Sequence, residues 1–232
     1  RSAMFDEDGH QGLPSWLNRD IHAASLLDDP GLVKRSMGNW NTAQTSPKEL
    51  TESLLTAARR AAGVEIITGK AEGVVLEDTG GERAVTGVVV DGRVVQADSL
   101  VIAMGPWSCL AEDWFPNLRI PMQGIASTSM VFRTQDPVEP WAVFCPEDDN
   151  GCSLEVYPRS RVQTERHRPA EAASHEVYIS GVGGSKYLGN EQLKQVEPQD
   201  IRADAGRVAA AVRSFGALSS LGDTSPHRTQ AC

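Results

Sequence analysis

Residues 84–108 read AVTGVVVDGRVVQADSLVIAMGPWS, and the fold turns on this stretch. AVTGVVV (84–90) and RVVQA (93–97) are short β-branched runs on either side of Asp91-Gly92, a strong signal for a two-residue hairpin turn. SLVIAMG (99–105) is a nearly continuous apolar run, as expected of a strand buried on both faces. It ends abruptly in Gly-Pro-Trp. In open α/β sheets, ligands collect outside the carboxyl ends of such strands, and Gly105 lets backbone approach a ligand closely. A plain strand-to-loop turn explains the same residues.

Upstream, GVVLED (73–78) and the turn Thr79-Gly80-Gly81 extend the hairpin to a three-stranded excursion, and VEIIT (64–68) predicts another buried strand. Before it, SPKELTESLLTAARRAAG (46–63) carries the clearest helix signal. Ser46 is an N-cap, Pro47 fits the first helical position and Glu49 completes a capping box. Leu50, Leu54, Ala57, Ala58 and Ala61 form an apolar stripe. Arg59 and Arg60 suit the negative end of the helix dipole, and Gly63 supplies the stop. The helix is expected to pack on strands 64–68 and 99–104, which would make Leu54→Asp cost several kcal/mol.

Downstream of Pro116 the texture changes. Residues 118–133, 141–145, 152–158 and 176–182 read as strands without helices between them, a second and largely antiparallel layer. The polar stretch 160–175 reads as a mobile, dispensable insertion open to trypsin. Residues 200–218 place Ile201, Ala205, Val208, Val212 and Phe215 on one helical face. Residues 1–39 read as loops with one or two short helical turns.

Of the 232 residues, 40% are hydrophobic and 23% charged, a globular composition, and the net charge is −9. An acidic chain without a Lys/Arg block is a poor partner for nucleic acid or an anionic membrane. No apolar run approaches a membrane span of about 20 residues. Cys109, Cys145, Cys152 and Cys232 form no CxxC pair, and the five histidines form no HExxH or zinc-like spacing. Reduced thiols, no metal and a cytoplasmic location are expected. GVGGSKYLG (181–189) has Lys186 where GxGxxG needs its third glycine, lacks the GK[ST] of a P-loop, and has Tyr187 in place of the last glycine of GxSxG. It reads as a loop ending a strand. Asp148 and Asp149 read as turn residues, and no acid–base constellation stands out.

TAQTSPKELTESLLTAARRAAGVEIITGKAEGVV (42–75) followed by VTGVVVDGRVVQADSLVIAMGPWS (85–108) resembles the central part of the D-amino-acid oxidase family of FAD-dependent oxidoreductases, to which glycine oxidase and sarcosine oxidase are similar. The shared features, in order, are a Pro-led helix, a Gly-Val strand, a β-meander with a D-G hairpin and a strand exit ending in W-S. LEVYPR (154–159) and VYISGVGG (177–184) look like the family's substrate-domain strands, and the resemblance spans about residues 40–190.

The resemblance implies a mixed α/β (α+β) fold: a Rossmann-like FAD-binding domain fragment with β-meander over 40–115, an antiparallel substrate domain over 116–198, and a helix and tail over 199–232 returning toward the first. It implies FAD as cofactor, with Ala71, Ala103, Gly105 and Trp107 beside the dinucleotide. Tyr157, Arg159 and Tyr178 become candidates for binding a substrate carboxylate; cross-strand packing is their plainer reading. The implied reaction oxidises an amine or amino acid to an imine by hydride transfer to flavin. The family's strand–GxGxxG–helix and its carboxy-terminal flavin-side region are absent from these residues, so the chain is expected to be the middle of a longer flavoenzyme, colourless and inactive alone. A catalytically silent protein of the same fold, with a binding or trafficking role, and an FAD-linked 2-hydroxy-acid dehydrogenase are the alternatives.

Overall fold

The structure, a computed structural model, describes residues 16–17, 45–138, 142–159 and 175–232. The expectations for the amino-terminal loops and for the 160–175 insertion fall outside these residues, apart from isolated positions at their edges. The described residues combine helices with antiparallel sheets, the α+β mixture of the expected fold class. They form two compact units.

One unit comprises Gln44–Gly124 and Leu188–Val196. Helix α1 spans Pro47–Ala62. Extended Ser46 caps it, its Oγ accepting from Glu49 N at 3.4 Å, and Gly63 ends it in the left-handed conformation at φ 63°. Strands β1 (Ala71–Thr79), β2 (Glu82–Val90) and β3 (Arg93–Gln96) form an antiparallel meander. Its two tight turns need positive φ at both central residues, which Gly80-Gly81 (70° and 94°) and Asp91-Gly92 (47° and 72°) supply.

The two runs expected to be buried strands are not strands. Residues 64–68 and 99–104 carry no regular secondary structure and have no ladder partners among the described residues. An apolar run becomes a strand only when a neighbour takes up its backbone hydrogen bonds. Val101 is accordingly 87% exposed, and Val64, Ile66 and Ile67 are exposed too. Helix α1 buries no residue, and Leu54 is 62% exposed. The expected packing of α1 on these two runs is therefore not found.

After the second run, Gly105–Asp113 is a 3-10 helical stretch that buries Cys109 and Ala111. The short helix α2 (Asn190–Leu193) is tied to it. Asn190 Nδ2 donates to Glu112 Oε1 and to Ile120 O, at 3.2 and 3.0 Å. Leu193 is buried beside Gly124, where a Cβ would meet the Leu193 side chain.

The other unit contains Ile125–Tyr187 and Glu197–Cys232, with Trp16 and Leu17 in its core. Strand β4 (Gly124–Ala126) pairs with β9 (Lys186–Leu188). A five-stranded antiparallel sheet is built from β5 (Thr128–Thr134), β6 (Val143–Phe144), β7 (Glu155–Arg159), β8 (His175–Ser180) and β10 (Arg228–Ala231), in the order β10-β5-β8-β7-β6. Met130, Phe132, Val156, Val177 and Ile179 point to one side and form the core with helix α3 (Ala205–Leu218). The Phe132 and Phe215 rings lie 5.0 Å apart. The buried face of α3 is Ala210, Ala211, Ser214 and Phe215, with Val208 and Val212 half-buried beside it. The expected stripe contained Val208, Val212 and Phe215, but Ala205 is exposed and Ile201 precedes the helix, which begins at the Asp204 cap. The other side of the sheet faces away from this core.

Candidate functional site

Strand alternation puts residues 155, 157 and 159 on the outward face while Val156 and Pro158 are buried. The same period on β8 turns Glu176, Tyr178 and Ser180 outward. Register aligns these residues in rows. Glu155 pairs with Ser180, Tyr157 with Tyr178, and Arg159 with Glu176. Strand β5 continues two rows, setting Val131 beside Tyr178 and Arg133 beside Glu176. Phe144 on β6 flanks Glu155.

The rows differ in chemistry. At one end Glu176, a buried carboxylate, accepts from Arg133 Nε and Nη2 at 2.9 and 2.8 Å, while Arg159 Nη1 lies 3.7 Å from its other oxygen. Two guanidinium groups thus share one carboxylate, leaving positive charge in excess. In the middle, the Tyr157 and Tyr178 rings are 6.2 Å apart, and Phe144 meets Tyr157 edge-on at 5.7 Å. Arg159 lies over the Tyr178 ring. At the other end Glu155 Oε2 accepts from Tyr157 Oη at 2.9 Å and Ser180 Oγ at 3.1 Å. Burial, and then the Glu155 hydrogen bond and charge, push the Tyr157 phenol up to about 12, so at neutral pH it is a protonated donor.

Beyond this last row lies a cavity of about 250 Å³, walled by Ser127, Ser129, Glu155, Tyr178, Ser180 and Ser185 among others. The glycine-rich loop beside it is built for packing. Gly181, Gly183 and Gly184 all have positive φ, and a Cβ on Gly181 would overlap Ser153 O. Arg207 Nε donates to Val182 O at 2.8 Å and Nη2 to Gly151 O at 2.7 Å. Its guanidinium thereby ties two loops together, the role of a loop ending a strand.

The structure thus brings Tyr157, Arg159 and Tyr178 together on one sheet face. Glu155, Arg133, Glu176, Ser129 and Ser180, which complete that face, went unread in the sequence. The two-residue alternation around Tyr157 and Tyr178 signals Glu155, Glu176 and Ser180. No local signal marks Arg133 or Ser129, because the β5–β8 register is not written in either strand.

Ala71, Ala103, Gly105 and Trp107 belong to the other unit. Ala71 opens β1 opposite Val90. Ala103 is exposed near the end of the 99–104 run, and Gly105 has φ 56° with open space at its Cβ position. Trp107 Nε1 donates to Val196 O at 2.8 Å. Gly105 leaves room for close approach of a ligand, while the indole N–H is engaged within its own unit.

All four thiols are free. Burial raises Cys109, and burial followed by the charge of Asp148 raises Cys145 to about 11, so neither is a thiolate near neutrality. Among the described residues, no group of three His, Cys, Asp or Glu could hold a metal ion, and no helix is long and apolar enough to cross a membrane.

A protein-family model described as FAD dependent oxidoreductase matches residues 3–221, beyond the 40–190 on which the sequence resemblance rests. FAD needs backbone amides at a helix amino terminus to offset its pyrophosphate charge. The described residues do not fit that part of the cofactor. The first turn of α1 is occupied by Ser46 Oγ and carries Glu49, and that of α3 is occupied by the Asp204 carboxylate accepting from Arg207 N. Helix α2 has only four residues.

Proposed function

Since the chain belongs to the FAD dependent oxidoreductase family, we propose that the outward face of the five-stranded sheet receives an amine or amino acid that is oxidised to an imine. The observation that carries this is Arg159, held over Tyr178 beside Tyr157 on the outward sheet face. A guanidinium presents a planar fork of donors that matches a carboxylate. Stacking on an aromatic ring limits its motion while leaving those donors at the ring's edge. The tyrosine rings offer flat apolar walls. In flavin enzymes the cofactor takes the electrons, and protein groups mainly orient the substrate. Such a division of labour agrees with a face rich in positioning groups.

The test is anaerobic. Because these residues are expected to be colourless alone, a longer chain that adds the family's GxGxxG and carboxy-terminal flavin-side segments is loaded with FAD. It is mixed with amino acids, simple amines or 2-hydroxy acids, and the flavin absorbance is followed. Bleaching by amines or amino acids is the expected result. Bleaching by 2-hydroxy acids alone would replace this reading with that of a hydroxy-acid dehydrogenase. A second reading, a silent protein that keeps the fold for binding, is favoured by the helix amino termini being filled by the chain's own caps. It predicts no bleaching by any substrate and no flavin retained on desalting.

A further inference from the structure

The cavity at the Glu155 end of the outward face is lined by hydroxyl-bearing residues and Glu155, with Tyr178, Val182 and Cys232 among its other walls. Ser127, Ser129, Ser180 and Ser185 contribute hydroxyls, Glu155 contributes the one carboxylate side chain, and no Lys or Arg lines it. Ser127 and Ser185 satisfy each other at 2.7 Å. Ser129 is different: it is 2% exposed, and its Oγ has no hydrogen-bond partner. It precedes Met130, and Ser180 follows Ile179; Met130 and Ile179 are register partners, so the two hydroxyls are neighbours on one face. Glu155 is half-buried. Its Oε2 is taken by Tyr157 and Ser180, while Oε1 has no hydrogen-bond partner among the described residues.

A buried hydroxyl without a partner is costly, and so is a half-buried carboxylate with an open oxygen. Here Ser129 and Glu155 both line the same small space. A group that fits must donate hydrogen bonds and carry positive charge. A protonated amine has three N–H donors and no acceptor. Its three donors match Glu155 Oε1, Ser129 Oγ and the acceptor side of Ser180 Oγ, whose own hydrogen goes to Glu155. A second carboxylate would be repelled by Glu155, and a neutral alcohol would leave the charge unanswered.

We propose that this cavity is the subsite for a protonated alkyl amino group, with Glu155 as its counter-ion and Ser129 and Ser180 as its hydroxyl acceptors. The proposal rests on the reading that this face receives the substrate, and it narrows the substrate class. Glu155 and Arg159 are four residues apart on β7, roughly 13 Å at the rise of a strand. The favoured ligand is thus elongated, with its ammonium group at Glu155 and any carboxylate at the Arg159 end. Glu155 selects substrates rather than transferring protons.

The test measures binding to the full 232-residue chain by saturation-transfer NMR, using 1,4-diaminobutane, 1,4-butanediol and succinate as probes. The diamine is expected to bind at least tenfold more tightly than the diol of the same length, and succinate not to bind at this cavity. Glu155→Gln, which keeps the side chain's shape, should abolish the preference for the diamine. The proposal is overturned if the diol binds as tightly as the diamine, if none of the three binds, or if Glu155→Gln leaves the preference intact. The probe comparison needs no variant, so it stands even if Glu155→Gln fails to fold. A diamine preference without flavin bleaching by any amine would keep this inference and remove the proposed oxidation. Bleaching by simple amino acids without a diamine preference would do the reverse.

Discussion

Arg159 stacks on Tyr178, its guanidinium carbon 4.7 Å from the ring centroid, while its Nη1 stays 3.7 Å from Glu176. The two contacts hold the guanidinium plane from its face and from one edge. Arg133 makes the shorter contact to the same carboxylate, at 2.8 Å. Glu176 is therefore neutralised chiefly by Arg133, and Arg159 remains the cation available to a ligand.

If Arg159 binds a substrate carboxylate, Arg159→Ala should raise KM for carboxylate-bearing substrates at least tenfold, or about 1.4 kcal/mol. Amines without a carboxylate should be affected far less. The folding cost should be small, about 0.5–1 kcal/mol for a half-exposed cation–π contact. Steady-state kinetics on matched substrates, with a urea titration alongside, separates binding from folding. Equal KM changes for both substrate types would remove the assigned role.

Leu54→Asp should leave the chemical denaturation midpoint almost unchanged. Leu54 is 62% exposed and α1 buries no residue. A surface substitution of this kind stays within about 0.5 kcal/mol. A loss of several kcal/mol would mean that the apolar stripe of α1 is covered after all.

Gly181→Ala should be among the most damaging single-methyl additions. Gly181 has φ 70°, and the new Cβ would overlap Ser153 O. Left-handed backbone costs a non-glycine residue about 1–2 kcal/mol, and overpacking adds about 1–3 kcal/mol. Gly105→Asn is the control: φ is 56° but the Cβ position is open, and asparagine tolerates that conformation. Thermal unfolding should rank Gly181→Ala well below Gly105→Asn.

Tyr157 should titrate late. Its phenol is raised from 10.0 to about 12 by burial, then by the Glu155 hydrogen bond and charge. Between these values the unfolded chain has lost the proton and the folded chain still holds it. Stability must then fall as pH rises through this window, because the unfolded state binds fewer protons. Glu155→Gln should move the phenol back toward its ordinary value without reaching it, since burial remains. Tyrosinate absorbance of the wild type, Tyr157→Phe and Glu155→Gln measures both effects.

Local chemistry alone determined the caps of α1, the two tight turns of the meander and the alternation that turns Tyr157, Arg159 and Tyr178 outward. Each depends on backbone angles or periodicity within a few residues: Ser46 and Gly63 on α1, Gly80-Gly81 and Asp91-Gly92 between strands. Tertiary structure decided the rest. The apolar runs 64–68 and 99–104 have strand-like composition, but a ladder needs a second backbone, and no described residue provides it. The meeting of Arg133 with Glu176, and of Ser129 with the Glu155 cavity, follows from the pairing of β5 with β8 across more than forty residues of chain. Such a register is selected by the whole buried face at once, where Met130 and Phe132 must point with Val177 and Ile179 toward α3, and no single segment carries that information.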